Sequence, residues 1–226
     1  MIDQLSRCQA KWRFEKIGTE DQPGTREKLI RAARELFLSR GFEATGLAEI
    51  LRAAEVKSGS LYYFFKSKEE LLLAVLDWYV ANLYPEVIDP VFARVSDPIE
   101  RVFGILSGYR EMLTMTDCRM GCPIGNLAIE MSEKSEAVRA KIALNFENWR
   151  KAVRQCLEEA DDRLPKEVDR ERLSSFVLTV MEGAVMQARA HRSIEPYDTA
   201  VKLLRDYFGR LMESAPRRKA ESGERK

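Results

Sequence analysis

The stretch from Leu47 to Leu73, LAEILRAAEVKSGSLYYFFKSKEELLL, constrains the fold more than any other part of the chain. Leu47, Ile50, Leu51 and Ala54 fall at i, i+3, i+4 and i+7, the spacing of one apolar stripe on a helix. Glu55-Val56-Lys57 does not extend that stripe, and Val56 reads as the buried plug of a turn. Ser58-Gly59-Ser60 then offers small side chains and free backbone N–H groups, which make a helix start. Leu61, Phe64 and Phe65 are expected to pack this second helix on the first, leaving Tyr62, Tyr63, Lys57 and Lys66 outside. Two short helices joined by a tight turn, the second opening on small polar residues, form the helix-turn-helix pattern.

The flanks agree with it. Residues 25–40 predict a leading helix with Thr25 as its cap, Leu29, Ala33, Leu36 and Phe37 as its buried stripe and Gly41 as its stop. Thr45 is expected to cap the next helix, and its hydroxyl is also a candidate phosphate donor. Ser67 followed by Glu70 reads as a capping box at the start of a fourth helix.

This segment resembles the DNA-binding domain of the TetR family of bacterial transcriptional repressors. The resemblance is carried by residues 26–41, Phe42-Glu43-Ala44-Thr45, Ile50, Gly59-Ser60-Leu61-Tyr62-Tyr63, Phe65 and Ser67-Lys68-Glu69-Glu70-Leu71. Two residues depart from the family pattern. Glu55 stands where glycine is common, which is expected to loosen the turn, and Phe64 stands where histidine is common, which is expected to remove a polar contact near the DNA backbone. The resemblance implies a dimer on a palindromic double-stranded DNA operator. Thr45, Lys57, Tyr63, Lys66 and Lys68 are the candidates for phosphate, and Ser58, Ser60 and Tyr62, with Gly59 among them, for base edges. The recognition helix has no arginine; Arg52 on the preceding helix is the candidate reader of guanine.

Bulk properties narrow the classes. A chain of 226 residues with 45% apolar and 32% charged residues is globular, of one large or two small domains. The net charge of +1 makes any DNA contact a matter of local placement. Between Arg26 and Glu70 nine basic residues face seven acidic ones, so placement outweighs number there too. No apolar run is expected to reach a membrane span and no signal peptide opens the chain, so the expected compartment is the cytoplasm. Four cysteines and a single histidine, His191, suggest neither a disulfide scaffold nor a metal site, although Cys118 and Cys122 are spaced C-x3-C. No nucleotide, metalloprotease or dinucleotide motif is present, and neither an enzyme nor a cofactor is expected.

The rest of the chain reads as helices. The fourth runs to about Leu83, where Pro85 and Pro90 are expected to break the chain, with a domain boundary near Asn82. Ser96-Asp97-Pro98 starts a helix to about Met115; residues 117–123 form a loop; residues 124–131, 135–159 and 166–192 are helical, the last opened by Pro165; Pro196 opens the final one. The fold class is therefore all-α: an N-terminal three-helix helix-turn-helix DNA-binding domain, residues 24–82, and a C-terminal helical ligand-binding and dimerisation domain, residues 83–214. Residues 1–23, with Lys11, Arg13 and Lys16, read as a flexible arm, and residues 215–226 as a disordered basic tail.

In the resembling repressors the last two helices form a dimer bundle. Val180, Gly183, Ala184, Ala188, Val201, Leu204, Phe208 and Leu211 are the corresponding candidates for a homodimer interface. Trp78, Phe103, Tyr109, Met112, Phe146, Trp149, Phe176 and Met181 are the candidate lining of a small-molecule effector pocket. Cys122, at a helix start near Arg119, is a candidate thiol sensor whose pKa the helix dipole would lower. The function implied is a dimeric repressor released from its operator by an effector. A cysteine-based redox or electrophile sensor, and a helical interaction module without DNA binding, stay open beside it.

Overall fold

The computed structural model describes residues 24–215, so the candidate arm and basic tail lie outside the described residues. Helix and turn account for these residues, and no strand occurs among them. The first helix, α1 (Thr25–Arg40), is preceded by Gly24 rather than capped by Thr25, and it buries Leu29, Ile30, Ala33 and Phe37. It stops at Gly41, whose φ of 91° lies in the region that favours glycine. Next come α2 (Leu47–Ala54) and α3 (Ser58–Phe64).

The turn between α2 and α3 keeps its tight form despite Glu55. That residue takes the left-handed conformation, φ 56° and ψ 43°, and the Val56 N–H reaches back 3.0 Å to the Leu51 carbonyl. The side chain bears the strain, on the order of 1 kcal/mol, that a glycine would avoid. Leu61 and Phe65 pack inward as expected, but Phe64 is 37% exposed and rests edge-on against Tyr63. A seven-residue helix has one inward face, and Leu61 occupies it.

Ser67 caps α4 (Lys68–Leu83) by accepting from the Glu70 N–H at 3.1 Å. The return bond of the box goes one residue further out, from the Lys66 N–H to Glu70 Oε2 at 2.7 Å. The expected break at Pro85 does not occur. The chain passes through a π-helical turn, Tyr84–Ile88, into α5 (Asp89–Arg94). A wider turn removes the clash between a proline ring and the carbonyl of the preceding turn, which accounts for continued helix. The resulting run, Lys68–Arg94, is by length and composition long and apolar enough to cross a membrane, contrary to the sequence expectation. Here Leu71, Leu72, Val75, Leu76, Ile88 and Val91 are buried in the core.

Asp97 caps α6 (Pro98–Met115) through the Ile99 and Glu100 N–H groups, both at 2.9 Å. A loop leads to α7 (Pro123–Met131), then α8 (Glu136–Glu159). The next helix, α9 (Arg170–His191), begins later than Pro165 suggests, because Asp169 supplies the cap. The guanidinium of Arg170 gathers the carbonyls of Asp161, Leu164, Pro165 and Val168 and fixes the intervening loop. The last helix, α10 (Glu195–Ser214), carries Pro196 in its first turn.

Helix α1 packs on α2, α3 and α4, while α6, α8, α9 and α10 form a bundle that meets α4 chiefly through α8. The buried amide of Asn145 on α8 donates to the Leu76 carbonyl of α4 at 3.2 Å, and Ser135 donates to Glu69 at 2.6 Å. Both tie the bundle to the helix that also carries the helix-turn-helix.

Candidate DNA-binding interface and ligand cavity

The outer face of α3 is built from what its length leaves over. With Leu61 fully buried, Ser58, Gly59, Tyr62 and Tyr63 point outward, Tyr62 61% and Tyr63 83% exposed. An added Cβ at Gly59 would meet nothing within 4 Å, so another molecule's backbone has room to approach there. Lys57, Lys66 and Arg52 are exposed beside it, and Ser60 is half-buried. This surface combines cations, small polar groups and two amphipathic rings on a short protruding helix, which suits phosphate and base-edge contacts in a major groove.

Two of the phosphate candidates have a different task. Thr45 is fully buried and its hydroxyl donates to the Gly41 carbonyl at 2.7 Å; Gly46, not Thr45, precedes α2. The ammonium of Lys68 donates to the carbonyls of Phe42 and Thr45 at 2.9 and 3.0 Å and lies 4.2 Å from the Phe42 ring centroid. Both groups hold the loop 41–46 together from inside.

That loop is also held from the C-terminal bundle. The Glu130 carboxylate, near the end of α7, accepts the N–H groups of Phe42 at 2.8 Å and Glu43 at 2.6 Å. Lys134 pairs with Glu43 at 2.6 Å, and that hydrogen bond and charge hold the Glu43 carboxyl below the usual range. These contacts join residues about ninety positions apart, and no local pattern announces them.

The start of the same helix forms one wall of a half-open cavity of about 360 Å3. Gly121, Cys122, Gly125 and Asn126 come from the α7 side. Glu182, Val185, Met186 and Arg189 come from α9 at i, i+3, i+4 and i+7, and Arg192 closes the end. A Cβ on Gly125 would lie 2.4 Å from Glu182 Oε2, so the glycine lets this carboxyl lie against the helix. In sequence, the charges at 182 and 189 inside an otherwise apolar stretch were the available signal.

Cys122 is 2% exposed, and its sulfur lies 3.5 Å from the Tyr109 hydroxyl and 3.5 Å from the Gly125 nitrogen. Burial, seconded by the charge of Glu182, pushes the thiol well above its ordinary pKa, against the opposing effect of the Gly125 N–H and the tyrosine hydroxyl. The sequence expectation of a lowered pKa is therefore reversed: desolvation outweighs the helix dipole. Glu182 is itself raised by burial, and the hydrogen bond from Cys122 offsets only part of that.

Most of the effector candidates are elsewhere. Of the eight, Tyr109 alone approaches this cavity, through Cys122. Trp78 stacks under the Arg34 guanidinium at 3.8 Å. Phe103 lies between Phe208 and Arg205. Trp149 packs on Tyr109, Met181 is buried, and Met112 and Phe146 are half-buried. Phe176 is 47% exposed and meets Tyr207 on the outside of the bundle. Of the interface candidates, Ala184, Ala188, Leu204 and Phe208 are buried within the chain, whereas Val180, Gly183, Val201 and Leu211 are half-buried. The large apolar side chains exposed on these helices are Phe176, Met186, Leu203 and Tyr207.

Comparison with known proteins gives this geometry a context. Residues 29–75 match the model of bacterial regulatory proteins of the tetR family, and residues 98–203 match the C-terminal domain of transcriptional regulators like LmrA and YxaF. The HTH-type transcriptional repressor DhaR of Mycobacterium sp. strain GP1 is 29% identical over 76% of this chain and 86% of its own length. A crystal structure of regulatory protein TetR from Rhodobacter sphaeroides superposes with a TM-score of 0.73 at 28% identity, covering 82% of this chain and 97% of that one. The reduced form of Escherichia coli NemR gives 0.71 at 28%, covering 81% and 96%. With a helix-turn-helix that presents Tyr62 and Tyr63 outward, a helical C-terminal bundle and these matches along both parts, the chain belongs to the TetR family of bacterial transcriptional regulators, DNA-binding proteins by function.

Proposed function

We propose that the protein is a homodimeric, cytoplasmic repressor, without catalytic activity of its own, that a small-molecule effector releases from DNA. Residues 24–82 form the DNA-binding part and residues 83–214 the effector and dimer part. Two copies of α3 enter successive major grooves roughly 34–36 Å apart, and the operator is an imperfect palindrome. Lys57, Tyr63 and Lys66 hold phosphates, Ser58, Ser60 and Tyr62 meet base edges, and Arg52 reads guanine. The observation that carries this reading is the outward face of α3, where the large rings of Tyr62 and Tyr63 stand mostly in water.

The dimer reading is supported by the outer face of α9 and α10. Phe176, Met186, Leu203 and Tyr207 expose an apolar stripe, and Gly183 beside it leaves open space for a neighbouring helix. Those four residues replace the buried Ala184, Ala188, Leu204 and Phe208 as the interface. Effector action passes through α7, which bears cavity residues at its start and Glu130 at its end. An effector releases DNA only by binding the DNA-incompetent state more tightly. The thiol-sensor reading loses support, since Cys122 is buried and that burial raises its thiol pKa.

Fluorescence anisotropy with DNA from upstream of the protein's own gene, at two salt concentrations, tests the DNA reading. Saturable, sequence-selective binding that Tyr63→Ala weakens about tenfold is expected; binding that salt abolishes for every sequence refutes it. Light scattering tests the interface: Leu203→Asp should convert a dimer to a monomer.

A further inference from the structure

The geometry points to the cavity between α7 and α9 as a binding site for a small organic carboxylate, gripped by Arg189 and Arg192. The first ground is the state of the two guanidinium groups. Arg189 donates to the neutral Asn126 Oδ1 at 2.9 Å, and Arg192 donates to the Cys118 carbonyl at 2.9 Å. Among the described residues neither has a carboxylate within ion-pair distance. Elsewhere in the bundle arginines meet acids: Arg101 with Glu159, Arg110 with Asp198, Arg163 with Asp97 and Arg205 with Glu100. Each guanidinium has five N–H donors, so both keep donors to spare, in the planar fork that matches a carboxylate.

The second ground is the rest of the wall. Glu182 is the one acid lining the cavity, and its carboxyl lies against Gly125 and Cys122 rather than on either guanidinium. The positive charge of the two arginines is therefore poorly compensated within the cavity. Beside them stand Val185, Ile129 and Met186, with Ile129 72% exposed at the mouth and Met186 on the edge shared with the proposed dimer face. An anionic head against the arginines with a short hydrocarbon body along these side chains satisfies both surfaces. A volume of about 360 Å3 is at the small end for ligand sites, ~300–1,000 Å3, and fits a metabolite-sized acid. An inorganic oxyanion would leave the apolar wall unused.

What binding does to DNA rests on the repressor reading above: the ligand would bear on the first turn of α7, whose far end holds the loop 41–46 through Glu130. Binding itself is separable from that. Isothermal titration calorimetry on the full-length protein, at constant ionic strength, would compare sodium butyrate, hexanoate and octanoate with hexanamide and with inorganic phosphate. At least one carboxylate should bind saturably, hexanamide at least tenfold more weakly than hexanoate, and phosphate more weakly than the carboxylates. Arg189→Gln and, separately, Arg192→Gln should each weaken carboxylate binding about tenfold or more. Arg154→Gln, on a surface pair with Glu158 and Glu171, should leave it unchanged. Because Arg192 is exposed, its variant keeps the test valid should Arg189→Gln fail to fold. Equal affinity for amide and acid, preference for phosphate, no saturable binding by any of the three acids, or unchanged binding in a folded arginine variant would overturn the site. Carboxylate binding that leaves operator affinity unchanged would uphold the site and sink only its link to DNA release.

Discussion

Replacing Glu130 by alanine removes a carboxylate that takes two backbone N–H groups of the loop 41–46, at 2.8 and 2.6 Å. Hydrogen bonds to a charged acceptor contribute about 1.5–3 kcal/mol each. One of these is part-buried and the other exposed, and both freed N–H groups can turn to water, so the pair is worth about 2 kcal/mol in total. For a chain of this size that lowers the melting temperature by about 4–8 °C. The sharper readout is hydrogen exchange. If opening of the loop becomes easier by about 2 kcal/mol, the Phe42 and Glu43 amides should exchange roughly thirtyfold faster. Glu130→Gln, which keeps one acceptor oxygen, should show about half the effect. Gly41 supplies a cross-check. Its φ of 91° and the 3.2 Å between an added Cβ and Glu130 Oε2 make Gly41→Ala costly twice over. In the Glu130→Ala background the steric part should vanish and only the backbone strain remain. Unchanged exchange at Phe42 and Glu43 in Glu130→Ala would refute the claim that α7 holds this loop.

The remaining predictions concern single groups. Glu86 Oε2 is buried without a hydrogen-bond partner, and burial lifts this carboxyl to about 7, with Arg34 pulling the other way. A raised folded pKa means the group favours the folded state below its unfolded pKa, about 4.3, and that this contribution is lost as pH rises through 7. Glu86→Gln should therefore melt higher than the parent at pH 8, by about 1 kcal/mol after allowance for solvent screening, and no higher at pH 4; superimposed pH profiles would contradict this. Native Cys122 should react with iodoacetamide at pH 7.5 more than about a hundredfold more slowly than in the denatured chain, since only thiolate attacks; mass spectrometry of the labelled peptide decides it. Tyr63→Ala should change stability by no more than about 0.5 kcal/mol, because the ring is 83% exposed, so a large drop in a urea titration would assign it to the core.

Local features were legible in the sequence. The stripes of α1 and α2, the stop at Gly41, the cap at Ser67 and the inward Leu61 and Phe65 all follow from spacing within a few residues. Errors arose where a residue had two local uses. Thr45 fits a cap by type yet is spent on the Gly41 carbonyl, and Pro165 fits a helix start yet Asp169 four residues on makes the stronger cap. Periodicity identified apolar faces on α9 and α10 without saying which neighbour each face meets. Ala184 and Phe208 turned inward; Phe176 and Tyr207 turned out. The opposite wall of the cavity and the grip of Glu130 were beyond reach for another reason, although the charges at 182 and 189 hinted at one wall. Gly125 beside Glu182, and Glu130 beside Phe42, are long-range contacts with no propensity or period attached to them.

The π-helical turn at Tyr84–Ile88 sets a counting rule for this protein. Each residue of an α-helix turns the chain by about 100°, so one residue too many or too few re-aims everything after it. The turn accommodates such an extra residue, and downstream of it Ile88 and Val91 are directed at the core, Val91 close enough to Gly104 that a Cβ there would stand 2.8 Å from it. Deleting a single residue between 84 and 88 would close ordinary α-helical turns with the downstream stripe still directed at α6, but would bring a proline ring back against the carbonyl of the preceding turn. The extra residue thus serves the prolines more than the aim of the helix: length and composition of this segment are coupled, and a one-residue deletion should be tolerated best where Pro85 is replaced as well.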